Sequence, residues 1–319
     1  MILSAQHEQF PLARPFTISR GTRTHQDVVT VAIEHNDQSA TAECTPYPRY
    51  GESVESVIKQ IDSLNHQLPE IQLTRANLPQ YLPAGAARNA VDCALWRLEY
   101  QAAFPLQVFA IKPEIVTAMT VSLDTPQAMA KQAMELCELG TKLVKIKLNH
   151  ELIIERVKAV RKSAPDVDII LDANEAWGEL DLDKLFKQLT QFNIRMIEQP
   201  VPKGMDNKLL GINHPIALCA DESCHTSNDL DNLIGCYEVI NIKLDKTGGL
   251  TEALALETKA RALGFKIMVG CMVGSSLAME AVLPVATHAE IVDLDGPVLL
   301  KQDRANGLLY KAGMIHLPL

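Results

Sequence analysis

The sequence predicts an α/β chain: a (β/α) barrel preceded by a smaller α+β unit. Three observations carry that expectation. From about residue 116, short apolar runs alternate with helix-like segments. The first third of the chain lacks this alternation. One run, LVKIKL at 143–148, carries two lysines spaced two apart. Successive strand side chains point to opposite faces. Val144, Ile146 and Leu148 therefore share one face, and Lys145 and Lys147 share the other. A barrel strand has that character, because its outer face packs on helices while its inner face lines the core, with chemistry gathered at the C-terminal mouth.

The elements follow in order. Residues 15–34, FTISRGTRTHQDVVTVAIEH after Pro15, alternate and are rich in β-branched residues, which predicts two strands around a turn at Gly21. SATAECTPY (39–47) continues as a third strand. Helical spacing appears at 51–67 and again at 87–103, ARNAVDCALWRLEYQAA. The connector FPLQVFAIKP closes this unit. Eight apolar runs follow: VTAMTV, LVKIKL, VDIILDA, IRMIEQ, ALCADE, EVINIKL, KIMVGC and IVDLD. Between most of them lies a helix-like stretch, such as TEALALETKARALG, whose Gly264 marks a helix C-terminus. Strand–helix alternation implies parallel strands with right-handed crossovers. No GxGxxG follows the first strand, so a barrel is favoured over a doubly wound open sheet.

Composition excludes several partners. At 319 residues the chain suits one large domain and one smaller one, and nearly half its residues are hydrophobic. A formal charge of −9 and a pI near 5.5 argue against nucleic acid or an anionic membrane as partner. No apolar run is long enough for a bilayer span. MILSAQHEQF has neither a charged n-region nor an apolar h-region, so secretion is not expected. Seven cysteines without a CxxC pair read as scattered thiols in a reducing compartment, with no disulfide framework and no zinc site. The expected location is cytoplasmic.

The barrel runs carry a ladder of charges. VDIILDAN ends in Asp172, IRMIEQP in Glu198, ALCADES in Asp221, and EVINIKL holds Lys243 with Asn241 and Asp245 on its face. From Lys147 the steps to Asp172, Glu198, Asp221 and Lys243 are 25, 26, 23 and 22 residues, one strand–helix unit each. A lone strand-end Asp usually serves a turn, and a lone Lys usually snorkels to solvent. Five in register are not explained that way. Three converging carboxylates repel one another unless a cation compensates. An all-oxygen set with room for water and substrate suits Mg²⁺ better than a Ca²⁺ cage or Zn²⁺. The lysines flank that trio on strands two and six, roughly opposite one another around a barrel.

These residues resemble the muconate-lactonizing subgroup of the enolase superfamily, and within it the dipeptide epimerases of the L-Ala-D/L-Glu type. The resemblance covers nearly the whole chain. It is carried by the ladder and by AECTPYPRYGES (42–53), which departs from the associated form at Ala42. LPAGAARNAVDCALWRLE (82–99), CADESCHT (219–226), NIKLDKTGGLTEALAL (241–256) and DLDGP (293–297) add to it. The resemblance implies a (β/α)7β-type TIM barrel at 114–297 under an α+β capping domain at 1–113, with residues 298–319 packing back on the cap. It implies Mg²⁺ on Asp172, Glu198 and Asp221, where bidentate binding of a substrate carboxylate stabilises an enediolate. Lys147 and Lys243, with pKa values depressed by burial and neighbouring cations, would move a proton off one face of the α-carbon and onto the other. The mandelate-racemase subgroup has a histidine on strand seven. KIMVGCMVGSS has none, so Lys243 must be the second base.

Substrate selection follows from further positions. Lys145 would hold the substrate carboxylate, and Thr120 would bond it at the end of strand one. Asp293 and Asp295, on one face of strand eight, favour a cation, which by resemblance is the dipeptide's α-ammonium. Arg23, after the SRGT turn, matches the position that contacts a glutamyl side-chain carboxylate in Glu-specific epimerases. The loop 45–53 is a candidate lid, with Arg49 a second possible anion contact. The implied activity is epimerisation of L-Ala-D/L-Glu and related L-Ala-X dipeptides in murein peptide recycling, with a small dipeptide as partner and a homo-oligomer compatible. Two rivals stand beside it: a same-fold lyase or cycloisomerase such as o-succinylbenzoate synthase, and a non-catalytic dipeptide-binding protein.

Overall fold

The computed structural model describes residues 1–317. Of the C-terminal stretch expected to pack on the cap, residues 318–319 lie outside the described part. The N-terminal unit is a three-stranded antiparallel sheet of β1 (Ile2–Ile18), β2 (Gly21–His35) and β3 (Gln38–Cys44), in that order. β1 begins thirteen residues earlier than residue 15, where the sequence pattern placed it. It is an edge strand, exposed or half-exposed along most of its length with Leu3 and Leu12 its buried residues, so its N-terminal half shows no apolar alternation to read.

Two helices cover the sheet. α1 (Val54–Gln67) starts from a capping box, in which Ser53 and Ser56 each bond the other's backbone N–H. α2 (Ala86–Tyr100) is buried almost all round, as a helix held between two layers must be. Its outer contacts are with the sheet. Its polar residues dock on the barrel, where Arg88 donates to Thr247 O at 2.6 Å and Asn89 to Asp245 Oδ1 at 2.8 Å.

The second unit is an eight-stranded parallel sheet in sequential order. It comprises β5 (Met119–Val121), β6 (Leu143–Lys147), β7 (Asp168–Asp172), β8 (Ile194–Glu198), β9 (Ala217–Ala220), β10 (Val239–Ile242), β11 (Lys266–Gly270) and β12 (Ile291–Asp293). First and last strands meet through Ala118 N–H on Val292 O at 2.8 Å. The outer helices are α3 (Pro126–Glu138), α4 (Ile153–Ser163), α5 (Leu182–Leu189), α7 (Leu250–Ala262) and α8 (Ser276–Ala286). Short α6 (Leu244–Thr247) and α9 (Gly296–Leu299) follow β10 and β12. The crossovers after β8 and β9 carry only single 3-10 turns. α7 stops before Gly264, whose φ of +89° suits the expected helix end.

The VTAMTV run is not one strand. Its first part belongs to β4 (Glu114–Val116), which pairs with the C-terminal hairpin β13 (Leu309–Lys311) and β14 (Met314–His316). The C-terminal segment thus has two destinations: residues 300–304 lie on the cap, while 309–316 cover β4.

Inside the sheet one residue per strand forms an apolar plug: Ala118, Leu143, Ile170, Met196, Cys219, Val239, Met268 and Ile291. Two residues further along each strand, on the same face, stand Thr120, Lys145, Asp172, Glu198, Asp221, Asn241, Gly270 and Asp293. The polar ring therefore rests on a dry floor. Lys147, Asn174, Lys243 and Asp295 stand one layer above.

Cap and barrel share buried polar contacts. Glu43 on β3 accepts from Ser275 N at 2.7 Å and from Arg304 Nη2 at 2.7 Å, and its side chain is fully buried. Arg304 also donates to Glu8 Oε2 at 2.6 Å. Removing one partner of a buried ion pair strands the other charge. Arg304→Met is therefore expected to lower stability by about 3 kcal/mol in urea denaturation. A loss below about 1 kcal/mol, the range of a surface pair, would show that Glu43 does not depend on it.

Candidate active site

The parity of each strand brings the predicted residues to one mouth. Lys147, Asp172 and Glu198 end β6, β7 and β8, while Asp221 and Lys243 sit one residue beyond β9 and β10. A cavity opens above them between barrel and cap. It is bordered by Lys145, Lys147, Asp221, Lys243, Thr120, Asp293 and Asp295 from the barrel, and by Arg20, Arg23, Tyr47 and Tyr50 from the cap. All ten predicted site residues except the deeper Asp172 and Glu198 border it.

Ion pairs dominate. Lys147 Nζ lies 2.6 Å from Asp172 Oδ2, and Lys243 Nζ lies 2.6 Å from Asp221 Oδ2. Lys145 Nζ meets Asp172 Oδ2 at 3.0 Å, Glu198 Oε2 at 2.7 Å and Asp293 Oδ2 at 2.7 Å. Gly270 gives Lys243 its room, since a Cβ there would stand 2.9 Å from Lys243 Cε. Burial opposes charge on Lys145 and Lys243, yet the adjacent carboxylates outweigh it and hold both ammonium groups above their ordinary range. For Lys243 this reverses the expected depression, because the carboxylate of Asp221 faces its amine.

The carboxylates split by partner. Burial disfavours charge on Asp172 and Asp221, but Lys145 and Lys147 hold the first below its ordinary range, and Lys243 and Lys246 the second. Glu198 is pushed up to about 7 by burial and by Asp172. Its Oε2 has the Lys145 ammonium at 2.7 Å, while Asp293 Oδ1 is buried without a hydrogen-bond partner. Asp172, Glu198, Asp221, Asp293 and Asp295 number five acids against the four amines of Lys145, Lys147, Lys243 and Lys246. Among the described residues no three His, Cys, Asp or Glu side chains are grouped as a metal cage, and Lys145 Nζ instead bridges Asp172, Glu198 and Asp293. The donor set still fits a hard cation: three buried carboxylates on adjacent strands, one under-compensated.

Other residues have different partners than expected. Thr120 N donates to Asp295 Oδ2 at 2.7 Å, which ties this threonine to the acid. Burial and Asp293 push Asp295 up to about 7. Arg49 grips Glu175 with two 2.7 Å bonds and is spoken for as an anion contact. Arg20 donates to Glu222 at 2.9 Å and to Tyr47 Oη at 3.0 Å. Arg23 lies over the Tyr47 ring at 5.4 Å and borders the cavity. Sequence reasoning passed over Arg20, Glu222 and Lys246. Glu222 follows Asp221 and should face away by strand parity, but β9 has already ended at Ala220.

Both halves match family models: the mandelate racemase/muconate lactonizing enzyme N-terminal domain over residues 3–104, and the enolase C-terminal domain-like model over residues 128–319. The chain belongs to the enolase superfamily. Like its relatives in that superfamily it is an enzyme of the epimerase and racemase kind. An L-Ala-D/L-Glu epimerase of Escherichia coli is 48% identical over 97% of this chain and 98% of its own. An N-acetyl-D-glutamate racemase of Pseudoalteromonas is 45% identical over 90% of this chain and 92% of its own. The dipeptide epimerase of Enterococcus faecalis, complexed with Mg and L-Leu-L-Tyr, superposes with a TM-score of 0.92 at 28% identity, covering 99% of this chain and 96% of that one.

Asp245, expected on the face of Lys243, lies instead in α6 beyond the end of β10 and turns to the cap, where it accepts from Thr45 N at 3.0 Å and Asn89 Nδ2 at 2.8 Å. Burial pushes it up to about 7. The folded state then keeps a proton that the unfolded state releases at lower pH, so this group's contribution to stability falls as pH rises from the usual carboxylate range through 7. Asp245→Asn removes that dependence. In urea denaturation of metal-free protein, wild type should lose stability relative to the variant between pH 5 and 8. An unchanged difference would contradict the raised value.

Proposed function

We propose that this chain is a Mg²⁺-dependent epimerase that inverts the glutamyl α-carbon of L-Ala-D/L-Glu and, less efficiently, of related L-Ala-X dipeptides, a step suited to recycling murein peptides. The observation that carries the reading is the pair Lys147 and Lys243. Both border the cavity, from β6 and from the end of β10, four strands apart around the barrel. Pure binding has no use for two amines so disposed.

Asp172, Glu198 and Asp221 would hold the Mg²⁺. Bound there, it supplies charge to the substrate carboxylate and makes the adjacent C–H more acidic. The chain's residues do the rest. One of the two lysines, in its neutral form, accepts the α-proton. The other lysine returns a proton to the opposite face, which inverts the centre. Lys145 steadies the same carboxylate. Asp293 and Asp295, with Thr120 tying the second in place, receive the α-ammonium. Arg23, at the cavity rim beside Tyr47, takes the γ-carboxylate, for which a guanidinium is suited. Tyr47 and Tyr50 help keep water out.

The similarity to an N-acetyl-D-glutamate racemase favours a second reading, racemisation of N-acylglutamates, which lack the ammonium. One experiment separates them. L-Ala-L-Glu and N-acetyl-L-glutamate are incubated with enzyme and Mg²⁺ in D₂O, and α-deuterium entry and inversion are followed by NMR. Faster turnover of the dipeptide, by about tenfold or more for a charged contact, supports the proposal. Preference for the N-acyl compound supports the second reading. Lys147→Ala and Lys243→Ala should each abolish epimerisation, and full activity in both would refute the two-lysine mechanism.

Selection at the side chain has its own test. Arg23→Gln should raise KM for L-Ala-L-Glu by about ten- to a hundredfold while changing L-Ala-L-Gln little. Equal effects on both substrates would remove Arg23 from that role.

A further inference from the structure

Lys246 follows Lys243 by three residues and does not border the cavity. Its side chain is completely buried. Nζ donates to Asp221 O at 2.6 Å, to Asp221 Oδ1 at 2.7 Å and to Asn241 O at 2.8 Å. An ammonium has three N–H donors, and all three are used. Burying a cation is costly and persists only where geometry compensates. This geometry does so without any contact to the space where a substrate would lie.

Asp221 is therefore held from two sides, Oδ1 by Lys246 and Oδ2 by Lys243 at 2.6 Å. The opposite wall differs. There Asp172 Oδ2 takes both Lys147 at 2.6 Å and Lys145 at 3.0 Å. Both of those lysines border the cavity, whereas Lys246 stands behind Asp221 and does not.

The turn that carries Lys246 is itself clamped. Lys246 N and Thr247 N both donate to Lys243 O at 3.0 Å. Gly248 and Gly249 follow at φ of +76° and +113°, so close to α2 that a Cβ would stand 2.3 Å from Arg88 Nε and 2.4 Å from Asp92 Cβ. Positive φ and missing space both demand glycine here. The ammonium cannot swing into the cavity, and its carboxylate cannot turn without losing it.

We infer that Lys246 is a positioning residue for Lys243: by occupying Oδ1 and the carbonyl of Asp221, it leaves Oδ2 as the one seat for the Lys243 amine and so sets where that amine meets the substrate carbon. The inference rests on the two-lysine reading and adds to it a residue that never touches substrate. It has a consequence that ordinary destabilisation lacks. With two amines on opposite faces, each removes the α-proton from one epimer only. Misplacing Lys243 should slow exchange from its own epimer and spare the other.

The test measures deuterium entry at the α-carbon in D₂O, at saturating Mg²⁺, from L-Ala-L-Glu and from L-Ala-D-Glu separately. Lys243→Ala first identifies the epimer that Lys243 serves. If that variant slows both epimers equally, the two-lysine reading fails independently of Lys246. Given the split, Lys246→Met should slow exchange from the same epimer on the order of a hundredfold, as a displacement near 1 Å can, and change the other by less than about threefold. Lys246→Gln, which keeps a donor for Asp221 O, is measured as well and stands alone should the Met variant not accumulate as folded protein. Its loss should fall on the same epimer and be smaller. Equal slowing of both epimers, or no slowing of either, overturns the inference.

Discussion

The structure depends on compensating a cluster of buried carboxylates. Asp172, Glu198 and Asp221 stand on adjacent strands, on a floor of apolar side chains with no exposed surface worth mentioning. In so dry a place uncompensated charge is prohibitive. Four lysines supply most of the compensation, at distances of 2.6–3.0 Å in the close pairs. Glu198 is still pushed up to about 7 by burial and by Asp172, although Lys145 Nζ lies 2.7 Å from its Oε2. That residual deficit is what the proposed hard cation would answer. The same acids hold the Lys145 and Lys243 amines above their ordinary range.

The cap has two kinds of contact with the barrel, and they divide its labour. On one side, α2 and β3 are joined to the barrel by buried groups: Glu43 with Ser275 and Arg304, Asn89 with Asp245, Arg88 with the 247–248 turn. On the other, the 19–23 turn and the 48–50 turn reach over the mouth, and Arg20 and Arg49 pair with Glu222 and Glu175 of the barrel loops. Arg20 and Arg49 are consumed in holding cap to barrel. Arg20 and Arg23 both border the cavity, and Arg23, beside Tyr47, is the one with no carboxylate partner among the described residues. The distinction matters for selectivity, because only a guanidinium without a committed protein partner has a full fork to offer an anion.

The fold also separates chemistry from selection. Strand ends of the barrel supply amines and acids, which any substrate with an acidic α-hydrogen beside a carboxylate can use. On the proposed function, cap loops and the end of β12 would supply the groups that distinguish one acyl or side-chain substituent from another. Relatives that share the scaffold and differ in substrate are the natural outcome of that division.

Much was determined by sequence alone, because barrel strands obey a strict alternation. Parity put Lys145, Lys147, Asp172, Glu198, Asp221, Lys243, Asp293 and Asp295 on the inner face, and spacing of one strand–helix unit gathered them at one mouth, in two layers. Parity is local, and it needs no knowledge of the fold beyond strand direction. What escaped the sequence was whatever depends on partners distant along the chain. The N-terminal half of β1 has no apolar rhythm because an edge strand buries little. The run 116–121 divides between two sheets because the C-terminal hairpin claims its first part. Thr120 is bound to Asp295, and Arg49 to Glu175, since loops far apart in sequence meet at the mouth. Lys246 sits in a turn, where alternation says nothing, and only the assembled barrel turns its amine inward to Asp221. The direction of the lysine shifts was also a tertiary matter, decided by which charges stand within 3 Å rather than by the residue type.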